Sequence, residues 1–299
     1  MLKPPSIWGP PGRRPVTITR PPPSSAHLTV SAPAHRDPQA DRRQRIARIL
    51  LWLVPLAWSS NYLIARAAAG VISPHVLALG RWSLAFALML PLAWAALRRA
   101  GRPWLAAEWK QLLVLGGLGM WICGAFVYIG GQTTSSANIA LIYAATPVAI
   151  AVVGAVLLGE RMAPSQVVGV ALALAGVLFV IAKGDLRNLL AVRFTVGDGW
   201  VLVAGISWVA YSVLLRLWPS KLDTAARLVA ITAGGMLVLL PFTALELALV
   251  TPPAFSWQAV GLVVAAAVLP GIVAYQAYSF MLRELGAGPT ALVLYLGPV

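Results

Sequence analysis

Charged residues are scarce. Asp, Glu, Lys and Arg together make up 11% of the 299 residues, where a soluble domain carries about 25%. A chain with so little polar surface cannot cover itself in water, which excludes an ordinary soluble globule and makes a bilayer its natural solvent. Acidic residues are the scarcest, nine against 23 Lys and Arg. None lies at the centre of an apolar run: Glu160 and Glu246 sit at run ends, so a mid-membrane carboxylate proton relay is unsupported. One cysteine, Cys123, excludes an intrachain disulfide. Three scattered histidines offer no metal-ligand spacing, so no metal or cofactor is expected. No Ser/His/Asp or Cys/His set is credible, and the glycines fall inside apolar spans rather than in a phosphate loop. His75, at a loop-to-helix junction, reads as solvated.

What remains is 59% hydrophobic, with a mean hydropathy of +0.80. The formal charge of +14 would suit nucleic acid. Its arginines, however, lie in the N-terminal tail and at the ends of apolar runs, where the positive-inside rule places them, so no nucleic-acid partner is expected. Residues 1–45 are rich in Pro and Arg, with Pro4-Pro5, Pro10-Pro11 and Pro21-Pro22-Pro23. They lack the apolar run of a signal peptide and read as a disordered basic tail, or alternatively as a proline motif for a partner.

From Ile46 on, runs long enough to cross about 30 Å recur at short intervals. Eight spans are expected, at roughly 47–68, 74–97, 110–130, 137–158, 164–182, 199–217, 225–248 and 258–281. A ninth begins near Gly288 and reaches only Val299, about 18 Å of helix, so the chain as given is expected to end inside a span. Arg42, Arg43, Arg45 and Arg48 precede the first span; Arg98, Arg99, Arg102 and Lys110 follow the second; Arg161 follows the fourth; Arg216, Lys221 and Arg227 lie around the loop after the sixth; Arg283 follows the eighth. The loops after spans one, three and seven carry no Lys or Arg, and only the loop after five, with Lys183, Arg187 and Arg193, breaks the alternation. The N-terminus is thus expected in the cytoplasm, and the protein in the cytoplasmic membrane.

Sliding the chain against itself by about 150 residues aligns Trp58 and Arg66 with Trp208 and Arg216, Leu90-Pro91 with Leu240-Pro241, and Ala140–Val148 with Ala291–Val299. Five spans per repeat is an odd number, so the second copy must cross in the opposite sense, the inverted plan of many secondary transporters.

The stretches WLVPLAWSSNYLIARAA (52–68), LALGRWSLAFALMLPLA (77–93), SSANIALIYAATPVAIAVVGAVLLGERM (135–162) and GVALALAGVLFVI (169–181) resemble, in order and spacing, the EamA-type branch of the drug/metabolite transporter superfamily. The resemblance covers about 46–299. It implies an all-α integral membrane protein of ten helices in two inverted five-helix units, of which about nine are present here, and export or exchange of small metabolites. The first unit is expected over 46–185. The second is expected over 198–299, stopping before its last helix.

Arg81 is the sharpest candidate, about 10 Å deep in the second span. An intramembrane Arg costs about 3 kcal/mol or more. It is there either to hold a substrate carboxylate or phosphate, or to snorkel to headgroups and bond helix carbonyls. Trp58, Asn61 and Tyr62 share one face of the first span, and Trp208 and Tyr211 one face of the sixth. They line a central cavity or bond helix to helix. Tyr275 and Gln276 are better placed for lining than Tyr128, which reads partly as an interfacial aromatic. Tyr143 lies mid-span beside Pro147; Pro147 and Pro298 are candidate hinges. Small residues four apart, Gly169 with Ala173 and Ala145 with Ala149, mark close helix packing. The reading is an alternating-access transporter of small polar or anionic metabolites, amino acids leading, with a homodimer left open. A membrane scaffold or receptor, and less so a membrane-embedded transferase lacking visible acid, base or metal groups, are the alternatives.

Overall fold

The computed structural model of the chain describes residues 38–158, 164–181 and 195–285. The expected ninth span and Pro298 lie outside these residues, as do most of the tail and the loop carrying Lys183, Arg187 and Arg193. Among the described residues all regular structure is helical: α1 (Pro38–Ala67), α2 (Pro74–Gly116), a π-helical turn (Gly117–Ile122), α3 (Cys123–Gly131), α4 (Ser136–Ala144), α5 (Thr146–Leu158), α6 (Pro164–Ile181), α7 (Val196–Leu217), α8 (Thr224–Leu249), α9 (Trp257–Ala266), a second π-helical turn (Ala267–Val273) and α10 (Ala274–Leu285).

Among the described residues, five stretches are long and apolar enough to cross a membrane: Pro74–Gly131, Ser136–Gly154, Val196–Leu217, Thr224–Leu249 and Trp257–Tyr278. The first is 58 residues, some 87 Å as straight helix and far more than one crossing needs. It breaks at Gly101, whose φ of +69° only glycine adopts cheaply. The chain doubles back there, since Arg81 before the break hydrogen-bonds Tyr128 after it. The expected second and third spans are therefore one nearly continuous helix with a hairpin break instead of a loop. Helices α1 and α6 lie where the first and fifth spans are expected.

Local chemistry sets the starts. Asp223 and Ser256 accept from the backbone N–H of Ala226 and Ala259, capping α8 and α9. Ser135 does the same for α4 through Asn138 N–H. Asp198 reaches back to Thr195 N–H at the head of α7 and also accepts from Thr134 Oγ1 and Asn138 Nδ2. A buried carboxylate at a helix N-terminus thus ties the α3–α4 connection to α7. At the same end, Arg66 donates to the carbonyls of Gly131 and Gln132. His75 is not solvated: its Nδ1 lies 3.0 Å from Glu246 Oε1, its backbone N–H donates to Glu246 Oε2, and Trp121 Nε1 donates to its Nε2. These bonds join the start of α2 to the end of α8.

Helices α2 and α8 form the most extensive helix pair, and glycine lets them meet. A methyl group on Gly116 would fall on the backbone of Gly234 and Gly235, and one on Gly235 would strike the Met120 side chain. Gly130 and Gly197 make a similar contact between α3 and α7. Bilayer helices gain little from apolar burial against apolar lipid, so this backbone approach carries much of the association. The small-residue pairing expected around Gly169 is not where close packing occurs, since a methyl there would meet open space. Trp82, Tyr128, Leu77, Met89, Leu115, Met120 and Ile139 form the interior, while Trp52, Leu56, Leu63, Leu92 and Val156 point outward. An apolar exterior around a core with polar centres is the arrangement a lipid solvent favours.

The two π turns are the chief irregularities. In each, a backbone N–H reaches five residues back: Cys123 to Leu118 O, and Ala274 to Leu269 O. They begin 150 residues apart, at Gly117 and Ala267.

Candidate functional site

The face of α1 carrying Asn61, the face of α2 carrying Arg81 and the deep part of α3 carrying Tyr128 converge within the core. Arg81 is 5% exposed. Its Nη1 donates to Asn61 Oδ1 at 3.1 Å and to Tyr128 Oη at 2.9 Å, and Tyr128 Oη donates to Asn61 Oδ1 at 2.9 Å. The three groups form a closed triangle. The guanidinium also lies 4.4 Å from the Trp82 ring centroid, a contact worth about 0.5–2 kcal/mol. Arg81 neither snorkels nor bonds helix carbonyls here. It is held in the interior by two neutral oxygens and an aromatic face, none of which cancels its charge.

Beside this triangle lies a cavity of about 90 Å³. Arg81, Trp82, Asn61 and Tyr62 form one wall; Gly119, Cys123 and Gly124 form another. Trp58, Trp208, Tyr275, Tyr143, Thr146 and Pro270 complete it. Both π turns thus contribute, through Gly119 and Pro270. Such turns concentrate at functional sites because they redirect side chains and free carbonyls.

The aromatic walls are ordered by mutual contact. Trp58, Trp208 and Trp82 each stand edge-on to Tyr275, at centroid separations of 6.0, 6.4 and 6.2 Å. Trp58 and Trp208, the pair aligned by the internal repeat, therefore flank one tyrosine. Tyr62 and Tyr143 lie 5.5 Å apart on another side. Pro147 cannot donate to the Tyr143 carbonyl four residues earlier; the Thr146 hydroxyl takes that place at 2.7 Å. The break between α4 and α5 at Ala145 thus leaves no orphaned carbonyl at Tyr143 and keeps that ring against the cavity.

Of the residues singled out in sequence, Arg81, Trp58, Asn61, Tyr143, Trp208 and Tyr275 line this cavity. Tyr211 does not: it is buried behind Trp208, ring centroids 5.3 Å apart, and packs over Gly119. Gln276 turns away, its Nε2 contacting Met89 Sδ at 3.7 Å. Tyr62, on the face of the first span expected to line a cavity or bond helix to helix, lines it as well, and Trp82, Cys123, Thr146 and Pro270, not selected as lining, do so too. Tyr128, ranked below Tyr275 and Gln276, is fully buried and bonded to Arg81. The available signal for it was the demand of a buried Arg for neutral acceptors on a neighbouring span.

Residues 45–182 match the EamA-like transporter family. A Bacillus subtilis (strain 168) protein named "Uncharacterized transporter YyaM" is 27% identical over 243 residues, covering 80% of this chain and 78% of its own. An Archaeoglobus fulgidus protein named "Uncharacterized transporter" is 28% identical over 251 residues, covering 84% and 85%. One solved crystal structure superposes with a TM-score of 0.62 at 20% identity over 84% of each chain; at that identity it speaks for the fold alone.

Proposed function

From the match of residues 45–182 to the EamA-like transporter family, we propose that the protein carries small metabolites across the cytoplasmic membrane. The cargo is amino-acid-like or another small polar or anionic compound, exported or exchanged by alternating access. The observation that carries this reading is Arg81. A guanidinium buried in an apolar helix bundle, beside a cavity and without a protein carboxylate among its bonds, is placed to meet a negatively charged group from solution.

In this reading Arg81 anchors the cargo, and Asn61 with Tyr128 orients it. Trp58, Trp208, Tyr275 and Tyr143 wall the body of the ligand, while Tyr211 supports Trp208 from behind. Gln276, on Met89, steadies the helix that carries Tyr275. Pro147 serves as a hinge, with Pro298 its counterpart. The inverted repeat, with units at 46–185 and 198–299, supplies the logic: related halves facing opposite ways can present one shared site to either side. The arginine-rich start of α1, the Gly101 break in α2 and the end of α7 then face the cytoplasm.

The test is flux of a labelled panel of amino acids, carboxylates, amines and sugars in proteoliposomes containing the full chain. Saturable flux of at least one member is expected, falling about tenfold or more in Arg81→Ala at equal protein amount, as loss of a charge-assisted contact requires. Absence of flux for every member, with correct insertion demonstrated, sinks the transporter reading in favour of a scaffold or receptor.

A further inference from the structure

We propose that the cavity selects small carboxylates lacking an amine over amino acids of the same skeleton. The proposal rests on the transporter reading of this same site and narrows its cargo.

The unmet hydrogen-bonding capacity around the cavity lies on the donor side. Arg81 is 5% exposed and its Nε has no acceptor; Trp82 is 1% exposed and its Nε1 has none either. Both residues line the cavity, but the two nitrogens themselves are closed off from it, so a ligand meets them only as the side chains around them yield. Guanidinium and indole N–H groups only donate, and a buried donor without a partner is destabilising. The nearest strong acceptor is already spent, because Asn61 Oδ1 takes one bond from Arg81 and one from Tyr128. The Tyr143 carbonyl is taken by Thr146. A ligand that satisfies this site brings oxygens that accept, and a carboxylate brings two.

Charge points the same way. Arg81 is the cation of the site, and among the described residues no Asp or Glu lines it. A carboxylate completes one ion pair. An amino acid brings the same carboxylate but also an ammonium, which would lose its water without gaining an ionic partner and would sit beside a like charge. Aromatic faces recover part of that cost. Here, however, Trp58, Trp208 and Trp82 are held by contacts with Tyr275, so they do not form an open cage around one point.

The experiment titrates the purified full chain in lipid nanodiscs, near neutral pH, with isovalerate, valine, isobutylamine and isovaleramide. These share a branched skeleton and differ in their charged groups. Binding is read by intrinsic tryptophan fluorescence and by thermal unfolding. Isovalerate is expected to bind about tenfold or more tighter than valine, the scale of one unpaired buried charge. The amine and the amide are expected not to bind. Arg81→Gln should abolish isovalerate binding. Trp82→Phe, which keeps an aromatic ring and removes one donor, should weaken it about three- to tenfold with little change in unliganded unfolding, so the outcome does not depend on Arg81→Gln folding. Valine binding as tightly as isovalerate, or the amide doing so, overturns the proposal and leaves the transporter reading standing. A saturable substrate from the wider flux panel that bears an amine or lacks a carboxylate does the same. No binding by any of the four together with no flux in that panel removes both.

Discussion

Tyr128 matters more than its place in the chain implies. Its hydroxyl accepts from Arg81 and donates to Asn61, both at 2.9 Å, so one atom closes the triangle that keeps a charged side chain inside the bundle. Tyr128→Phe removes that atom and almost no volume. The expected cost is about 1–3 kcal/mol of stability, seen as a lower unfolding temperature in detergent, together with reduced flux at equal protein. Unchanged stability and flux would show that the triangle does not hold Arg81. The sequence pointed to Arg81, Asn61, Trp58, Trp208 and Tyr275 because polar and bulky aromatic groups stand out against apolar neighbours. It undervalued Tyr128 because a tyrosine near the end of an apolar run looks like an interfacial one. It misjudged His75 because the partner, Glu246, is 171 residues away. It favoured Gln276 from depth alone, and depth does not fix which way a side chain turns.

At the scale of the helix, spacing of apolar runs revealed where the elements lie. What escaped it were departures from regularity at the Gly101 break and the two π turns, whereas Pro147 had already marked the fourth span, which splits at Ala145, for a kink. Each depends on how neighbours pack, which periodicity cannot report. The glycines give the clearest prediction. In Gly235→Ala the added methyl would meet Met120 Cβ and Cγ and crowd the Gly116 carbonyl, forcing α2 and α8 apart. In Gly261→Ala it meets open space. The first is expected to lower stability by about 1–3 kcal/mol, the second to stay within about 0.5 kcal/mol. Thermal unfolding of the two variants in one detergent checks this, and equal effects would mean that close approach is not what holds the pair together.

For the whole molecule, the proposed orientation rests on where basic residues gather. Arg42, Arg43, Arg45, Arg48, Arg98, Arg99, Arg102, Lys110, Arg216 and Lys221 all lie toward one end of the helices; the start of α2, the end of α8 and the Asp198 network lie at the other. In a Cys123→Ser background the sequence contains no cysteine, so new thiols report position cleanly. Ala254→Cys should react with a membrane-impermeant maleimide on intact cells, and Ala107→Cys only after the cells are opened. The reverse pattern would invert the proposed topology. The proposed internal repeat rests on Trp58 and Trp208 and on Leu90-Pro91 and Leu240-Pro241, because those residues interrupt otherwise similar apolar text. That Trp58 and Trp208 flank the same tyrosine required the folded chain.

The π turns carry one more consequence. Each is a residue of slack stored in an otherwise stiff rod, against the same chamber. Passing that slack along by one residue swaps one set of backbone bonds for the next and breaks none permanently. It re-aims the residue it passes by roughly 100° about the helix axis and leaves the rod on either side in place. Two rods with such slack can re-dress the chamber one side chain at a time while the bundle around them keeps its shape.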